Sequence, residues 1–167
     1  MANVYDVTQY ILRSTGKITA MKLQKLVYYS QAWHATWTGH PLYAEQTEAW
    51  ANGPVVRELF NYHKGLYAVT PETFPLGNAD QLTDDEADSV DRVVAQYGKL
   101  SALQLSMVSH AEGPWQDARD GVAGGDSSTN VIPVDAMRVY YQSMRDDPDL
   151  ASDFDDVDFP EWTKDVV

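Results

Sequence analysis

The run His110-Ala111-Glu112-Gly113-Pro114-Trp115, with Arg119 just beyond it, holds the residue types closest to an enzyme's working set. A histidine can move protons near neutral pH, a carboxylate can take or orient a proton, and a guanidinium can hold an anion, provided the three converge at a helix start. A small hydrolase or nucleotide-binding enzyme would use His110, Glu112 and Arg119 in this way. The competing reading is structural: Trp115 anchors the helix, His110 hydrogen-bonds across the Gly-Pro turn, and Arg119 pairs with a nearby carboxylate.

Elsewhere the chain offers little chemistry. His34, His40, His63 and His110 fall on separate elements and no pair has the i, i+4 spacing of a zinc hydrolase, so no metal site is expected. His34 and His63 read as core-edge residues, each making a hydrogen bond. Gly124-Gly125-Asp126-Ser127-Ser128 lacks the lysine of a P-loop and reads as a flexible turn. No serine sits in a nucleophile elbow and no dinucleotide fingerprint appears, so no cofactor is expected. The chain has no cysteine, which removes disulfides, thiolate nucleophiles and cysteine-ligated zinc together and suits a reducing cytosol.

The elements that would position these residues are mostly helices. Asn3 can cap a first helix over 3–13 with Val4, Val7, Tyr10 and Ile11 on one face. Thr19 can cap a second, in which Leu23, Leu26, Val27, Ser30, His34 and Trp37 form a stripe, with Trp33 at its border. Tyr28, Ala32 and Ala35 on the far side predict a central helix packed on more than one side. A short strand is expected over 47–51, and Gly53-Pro54 then reads as a helix start, because proline has its backbone angle pre-set for a first turn. That helix would carry Val55, Val56, Leu59, Phe60 and His63 inward. Residues 68–82 read as a loop or covering flap. Thr83 with Glu86 is a capping box for a helix burying Val90, Val93 and Tyr97. Ser101 opens another, with Leu100, Leu103, Met107 and His110 in register. Val131-Ile132 reads as a second strand, followed by a helix over 133–145 burying Met137, Tyr140, Tyr141 and Met144 in some combination. The expected class is mainly α, a single compact helical domain over 1–145 with a few short β-strands, followed by an acidic tail over 146–167 in which Phe154, Phe159 and Trp162 punctuate the aspartates.

At 167 residues the chain is long enough for a full hydrophobic core without staples. Its formal net charge of -13 argues against direct binding to nucleic acid, whose affinity is built on Lys and Arg displacing counterions, and favours a basic partner. No segment approaches the apolar length of a membrane span and the amino terminus lacks a signal peptide's pattern, so a cytoplasmic protein is expected.

Three blocks remain: Met21-Lys22-Leu23-Gln24-Lys25-Leu26-Val27-Tyr28-Tyr29-Ser30-Gln31-Ala32-Trp33, then Glu48-Ala49-Trp50-Ala51-Asn52-Gly53-Pro54-Val55-Val56, then the run from His110 to Arg119. In that order they resemble the motif series of the SocA-like antitoxin domain, also called Panacea and labelled in places as phage-associated GepA-like protein, over residues 4–144. The resemblance implies a mainly helical antitoxin, not an enzyme, encoded beside a toxin gene and neutralising that toxin by direct contact. An acidic surface covering a basic active-site region would do this. Delivery of the toxin for proteolysis, as a proteolytic adaptor, is a further role in the family. Candidate contacts are Lys22, Lys25 and Tyr29, on the face of the second helix away from its stripe, together with Trp50, Asn52, Arg119 and the tail residues Phe154, Phe159 and Trp162. Trp33, Gly53, Pro54, His110, Pro114 and Trp115 read as the structural part of the motif.

Overall fold

In the computed structural model, residues 1–146 and 159–161 are described. They form a mainly α body with short strands. The first helix, α1 (Val4–Thr15), starts at a reciprocal cap in which Asn3 accepts from the Asp6 amide and Asp6 accepts from the Asn3 amide. After strand β1 (Ile18–Thr19) comes α2 (Ala20–Thr38), capped by the Thr19 hydroxyl and ended by Gly39 in the left-handed region. Every residue over 23–36 is buried, because α1, α4 (Asp84–Tyr97), α5 (Ala102–His110) and α7 (Val134–Asp146) pack around this one helix. The expectation of a central helix packed on several sides is met, and its cost is that polar residues are taken inside with the apolar ones.

Strands β2 (Thr47–Trp50) and β3 (Gly53–Val56) form an antiparallel hairpin, with Ala49 opposite Pro54, and β5 (Val131–Ile132) joins the other edge of β2 to give the order β3-β2-β5. Here the sequence expectation needs correcting. Gly53-Pro54 starts a strand, and the helix α3 (Arg57–His63) begins only after Val56. A missing amide hydrogen is as harmless on an outward-facing strand edge as in a first helical turn, so proline alone does not choose between them. Gly53 sits at φ +117, which belongs to a turn and not to a helix.

Strand β4 (Ala68–Val69) pairs with β1, so the flap over 68–82 is pinned to the body and contains two 3-10 turns, Pro71–Thr73 and Ala79–Gln81. The capping box at Thr83 and Glu86 forms as expected. On α5 the inward face is turned from the one expected: Ala102, Leu105, Ser106 and Ser109 are buried, while Met107 is exposed. The serines allow close approach to the hairpin, and the Ser106 hydroxyl donates to the Asn52 carbonyl at 2.8 Å. A short helix, α6 (Gly113–Arg119), follows, and on α7 Met137 and Tyr141 enter the core with Tyr140 and Met144 packed at its edge. No described helix is long and apolar enough to cross a membrane.

Candidate functional site

The two most distinctive sequence blocks meet in space. From α2, the Gln24 carboxamide accepts from the Val56 amide at 2.9 Å and donates to the Val56 carbonyl at 3.2 Å. Next to it, the Lys25 amine donates to the Pro54 carbonyl at 3.1 Å. Since Pro54 has no amide hydrogen, the outer edge of β3 is closed to further pairing over these residues. Gly53 completes the fit, because a Cβ there would lie 2.5 Å from Lys25 Cε. The Gln24 amide nitrogen is also 2.9 Å from His63 Nε2, and with its other hydrogen spent on Val56 it makes that ring nitrogen an acceptor in a neutral imidazole. Burial, which lowers the His63 pKa, acts in the same direction.

The third block holds the hairpin from its opposite side. The carbonyls of Ala49, Trp50 and Ala51 are taken in turn by the Arg119 guanidinium at 3.2 Å, the Trp115 indole N–H at 2.9 Å and His110 Nε2 at 2.8 Å. The His110 ring also stacks obliquely on Trp115, and its Nδ1 faces the Ser106 carbonyl of its own helix, so the tautomer sets which of the two carbonyls, Ala51 or Ser106, receives the ring N–H. Arg119 is buried and carries two further bonds, to the carbonyls of Ala123 and Asp126 at 2.9 Å and 2.6 Å, while lying over Trp115. Two expectations are corrected: Arg119 pairs with carbonyls and not a carboxylate, and His110 reaches the hairpin instead of bridging the Gly113-Pro114 turn. A guanidinium with five donors in a fixed fork is suited to gather carbonyls from two loops.

Glu112 turns away from both. It is buried, and one of its oxygens accepts from the Tyr29 hydroxyl and from the Tyr141 hydroxyl, the latter at 3.0 Å. Tyr141 is 3.1 Å from Tyr28, Tyr29 stacks on Tyr97 with centroids 4.0 Å apart, and the Trp33 indole donates to the Tyr97 hydroxyl at 2.9 Å. Burial lifts the Glu112 carboxyl to a pKa of about 7 against the opposing pull of the two tyrosine hydrogen bonds. His110, Glu112 and Arg119 therefore serve three different sets of partners. Neither Glu112 nor Arg119 lines the shallow depression beside His110. Tyr28, Tyr97 and Tyr141 are expected from the sequence only as packing residues of their helices and Gln24 only as part of the first motif block; their hydrogen bonds join segments far apart in the chain, and spacing does not signal them.

The expected contact residues divide. Lys25 and Tyr29 are fully buried, so the face of α2 away from its stripe is packed inside as well and does not present them on the surface. Their polar tips find partners from other elements inside. Arg119 is buried as well. Lys22 is half-buried with its amine on the Gly98 carbonyl at 2.7 Å, and Asn52 is exposed at the hairpin turn. Trp50 is half-buried, its indole N–H on Glu48 and its ring edge-on to Phe60 and under Arg57. Phe159, expected as an exposed tail aromatic, is buried in the core cluster. Phe154 and Trp162, and most of the acidic tail, lie outside the described residues. Among the described residues no three His, Asp or Glu gather as a metal site would require.

A groove of about 510 Å³ opens between the start of α2, the hairpin, α3 and residues 127–129, with Gln24, Lys25 and His63 at its base and Trp50, Phe60 and Val55 among its walls. Burial without a carboxylate partner lowers the Lys25 amine to a pKa of about 7.

Comparison with known proteins finds relatives over the stretch that holds most of the three blocks. No solved structure matches the chain. The chain is 30% identical over 115 residues to the Antitoxin SocA of Caulobacter vibrioides, an alignment that takes in 62% of this chain and spans 61% of that protein's length. The family model of the Antitoxin SocA-like, Panacea domain matches residues 23–116, from the central helix through the hairpin to the start of α6, and the chain belongs to that family.

Proposed function

We propose that this chain is an antitoxin that neutralises a cognate toxin protein by direct contact, a carboxylate-rich surface covering the toxin's basic active-site region. Membership in the SocA-like family carries this reading. Charge supports it: the chain carries a net -13, and Asp84, Asp85, Asp88 and Asp91 all stand exposed along α4. Opposite potentials speed encounter and reject wrong partners, and toxins that act on RNA or nucleotides present basic clefts. The body over 1–145 is the antitoxin domain, acting in the cytoplasm on a toxin encoded by an adjacent gene, without enzymatic turnover and without direct contact to nucleic acid. An enzymatic reading through His110, Glu112 and Arg119 has no support from a site in which each of the three is spent on other bonds.

Co-expression tests the reading. The chain is expected to restore growth to cells producing the toxin of the neighbouring gene, and the affinity of the purified pair is expected to fall as salt rises. Failure to rescue would sink the antitoxin role, and an affinity indifferent to salt would remove the acidic surface from the mechanism.

A further inference from the structure

The groove over Lys25 departs from the electrostatics of the rest of the protein. Asp and Glu outnumber Lys and Arg by 25 to 12 in the chain, yet no carboxylate lines the groove, whose charged residues are Lys25 and Arg57. Arg57 is already held by Glu48 through two hydrogen bonds. Lys25 is not so held. Its amine has three donors and one acceptor, the Pro54 carbonyl, and no carboxylate lies within ion-pair distance of it among the described residues. A buried amine that lines an open groove, with one carbonyl acceptor and no carboxylate beside it among the described residues, is a place where an anion entering the groove gains an ion pair.

The walls state what kind of anion. Trp50, Phe60, Val55, Met21 and Leu66 make the lining largely apolar, and Met21 and Leu66 remain exposed at 37% and 49%, so the rim itself is uncovered hydrophobic surface. A ligand that fits has an apolar group beside its carboxylate. The hairpin edge narrows the choice further. Gln24 occupies both backbone groups of Val56, Lys25 occupies the Pro54 carbonyl and Pro54 has no N–H, so an extended strand passing through the groove finds no backbone to pair with there. A chain that ends in the groove needs no such pairing.

We propose that the groove over Lys25 receives the carboxyl terminus of a partner polypeptide, its terminal carboxylate on the Lys25 amine and its last apolar side chain against Trp50 and Phe60. The inference rests on the antitoxin reading only for the identity of that polypeptide, the toxin. The acidic surface of α4 then steers a basic partner, and the groove fixes its end.

The test needs no toxin. N-acetyl-phenylalanine is titrated into the full chain while the Trp50 indole and the Lys25 side-chain signals are followed by NMR. Saturable shifts of both are expected, with N-acetyl-phenylalanine amide at least about tenfold weaker. In Lys25→Met, which keeps the side chain's length and removes its charge, the acid loses that advantage over the amide. A tripeptide with a glutamate side chain and an amidated end binds no better than the amide. The proposal is overturned if acid and amide bind the unsubstituted chain equally, if the Lys25 signal stays unmoved at millimolar acid, or if the amidated glutamate peptide matches the acid. These outcomes are independent of the growth rescue, so failure of either reading is distinguishable from failure of the other.

Discussion

Lys25 and Gly53 occupy each other's space: the lysine side chain crosses directly over the glycine, so that a Cβ on residue 53 would sit 2.5 Å from Cε and 3.2 Å from Nζ. The glycine is required twice over, by this contact and by its φ of +117. Gly53→Ala is expected to lower stability by about 3 kcal/mol in urea denaturation, combining overpacking with backbone strain. Adding Lys25→Ala relieves only the packing part, so the double substitution recovers some of the loss and not all of it. Full recovery would show that the backbone conformation costs an L-residue nothing.

The Lys25 amine titrates near 7 in the fold, below its unfolded value of about 10.4. The folded state therefore bears the full cost of a buried ammonium below pH 7 and sheds it as pH rises toward 10.4. Stability of the native chain is expected to climb over that window. Lys25→Met flattens the climb and is more stable at pH 7 by an amount on the order of 3 kcal/mol, less whatever the lost bond to Pro54 was worth. Denaturation midpoints of the two proteins at pH 7 and pH 10 decide it, with convergence expected at the higher pH.

Glu112 runs the opposite way. Its folded pKa of about 7 lies above the ordinary carboxylate value of about 4.3, so the protonated form is favoured inside and ionising it costs stability as pH rises from 4.3 to 7, with the loss complete above 7. Glu112→Gln keeps an acceptor for Tyr29 and Tyr141 without the charge. The gain of the variant over the native chain is expected to be near zero at pH 4 and about 3 kcal/mol at pH 7.5. Glu112→Ala, which strands two buried hydroxyls, is expected to be less stable than Glu112→Gln throughout.

Arg119 joins the hairpin to residues 123–126 through carbonyls alone. Arg119→Lys keeps the charge but cannot span the three, and a loss of about 2 kcal/mol is expected with faster proteolysis at Gly124-Gly125. Unchanged cleavage there would mean that the loop is held by something else.

Phe159 is buried beside the core although an acidic segment precedes it. Phe159→Ala is expected to cost about 3 kcal/mol in thermal or urea unfolding, within the range for a buried phenylalanine. A truncation after Asp146 should show the same loss, whatever its effect on the proposed neutralisation.

Local chemistry determined what the sequence could announce by itself. The caps at Asn3, Thr19, Thr83 and Ser101 are each settled by residues three apart, and all of them form. The apolar density of α2 likewise announced a helix packed on several sides. What tertiary structure decided is where polar groups find partners. Lys25 and Tyr29 carry a charge and a hydroxyl that locally favour water, yet Pro54 is 29 residues away and Glu112 is 83. The same distance effect made Gly53-Pro54 a strand: proline tolerates either element, and only Gln24 and Lys25, arriving from α2 to close the edge, made the strand the satisfied choice. Spacing along a chain specifies helix ends and faces, whereas a buried donor's partner is set by which segments meet.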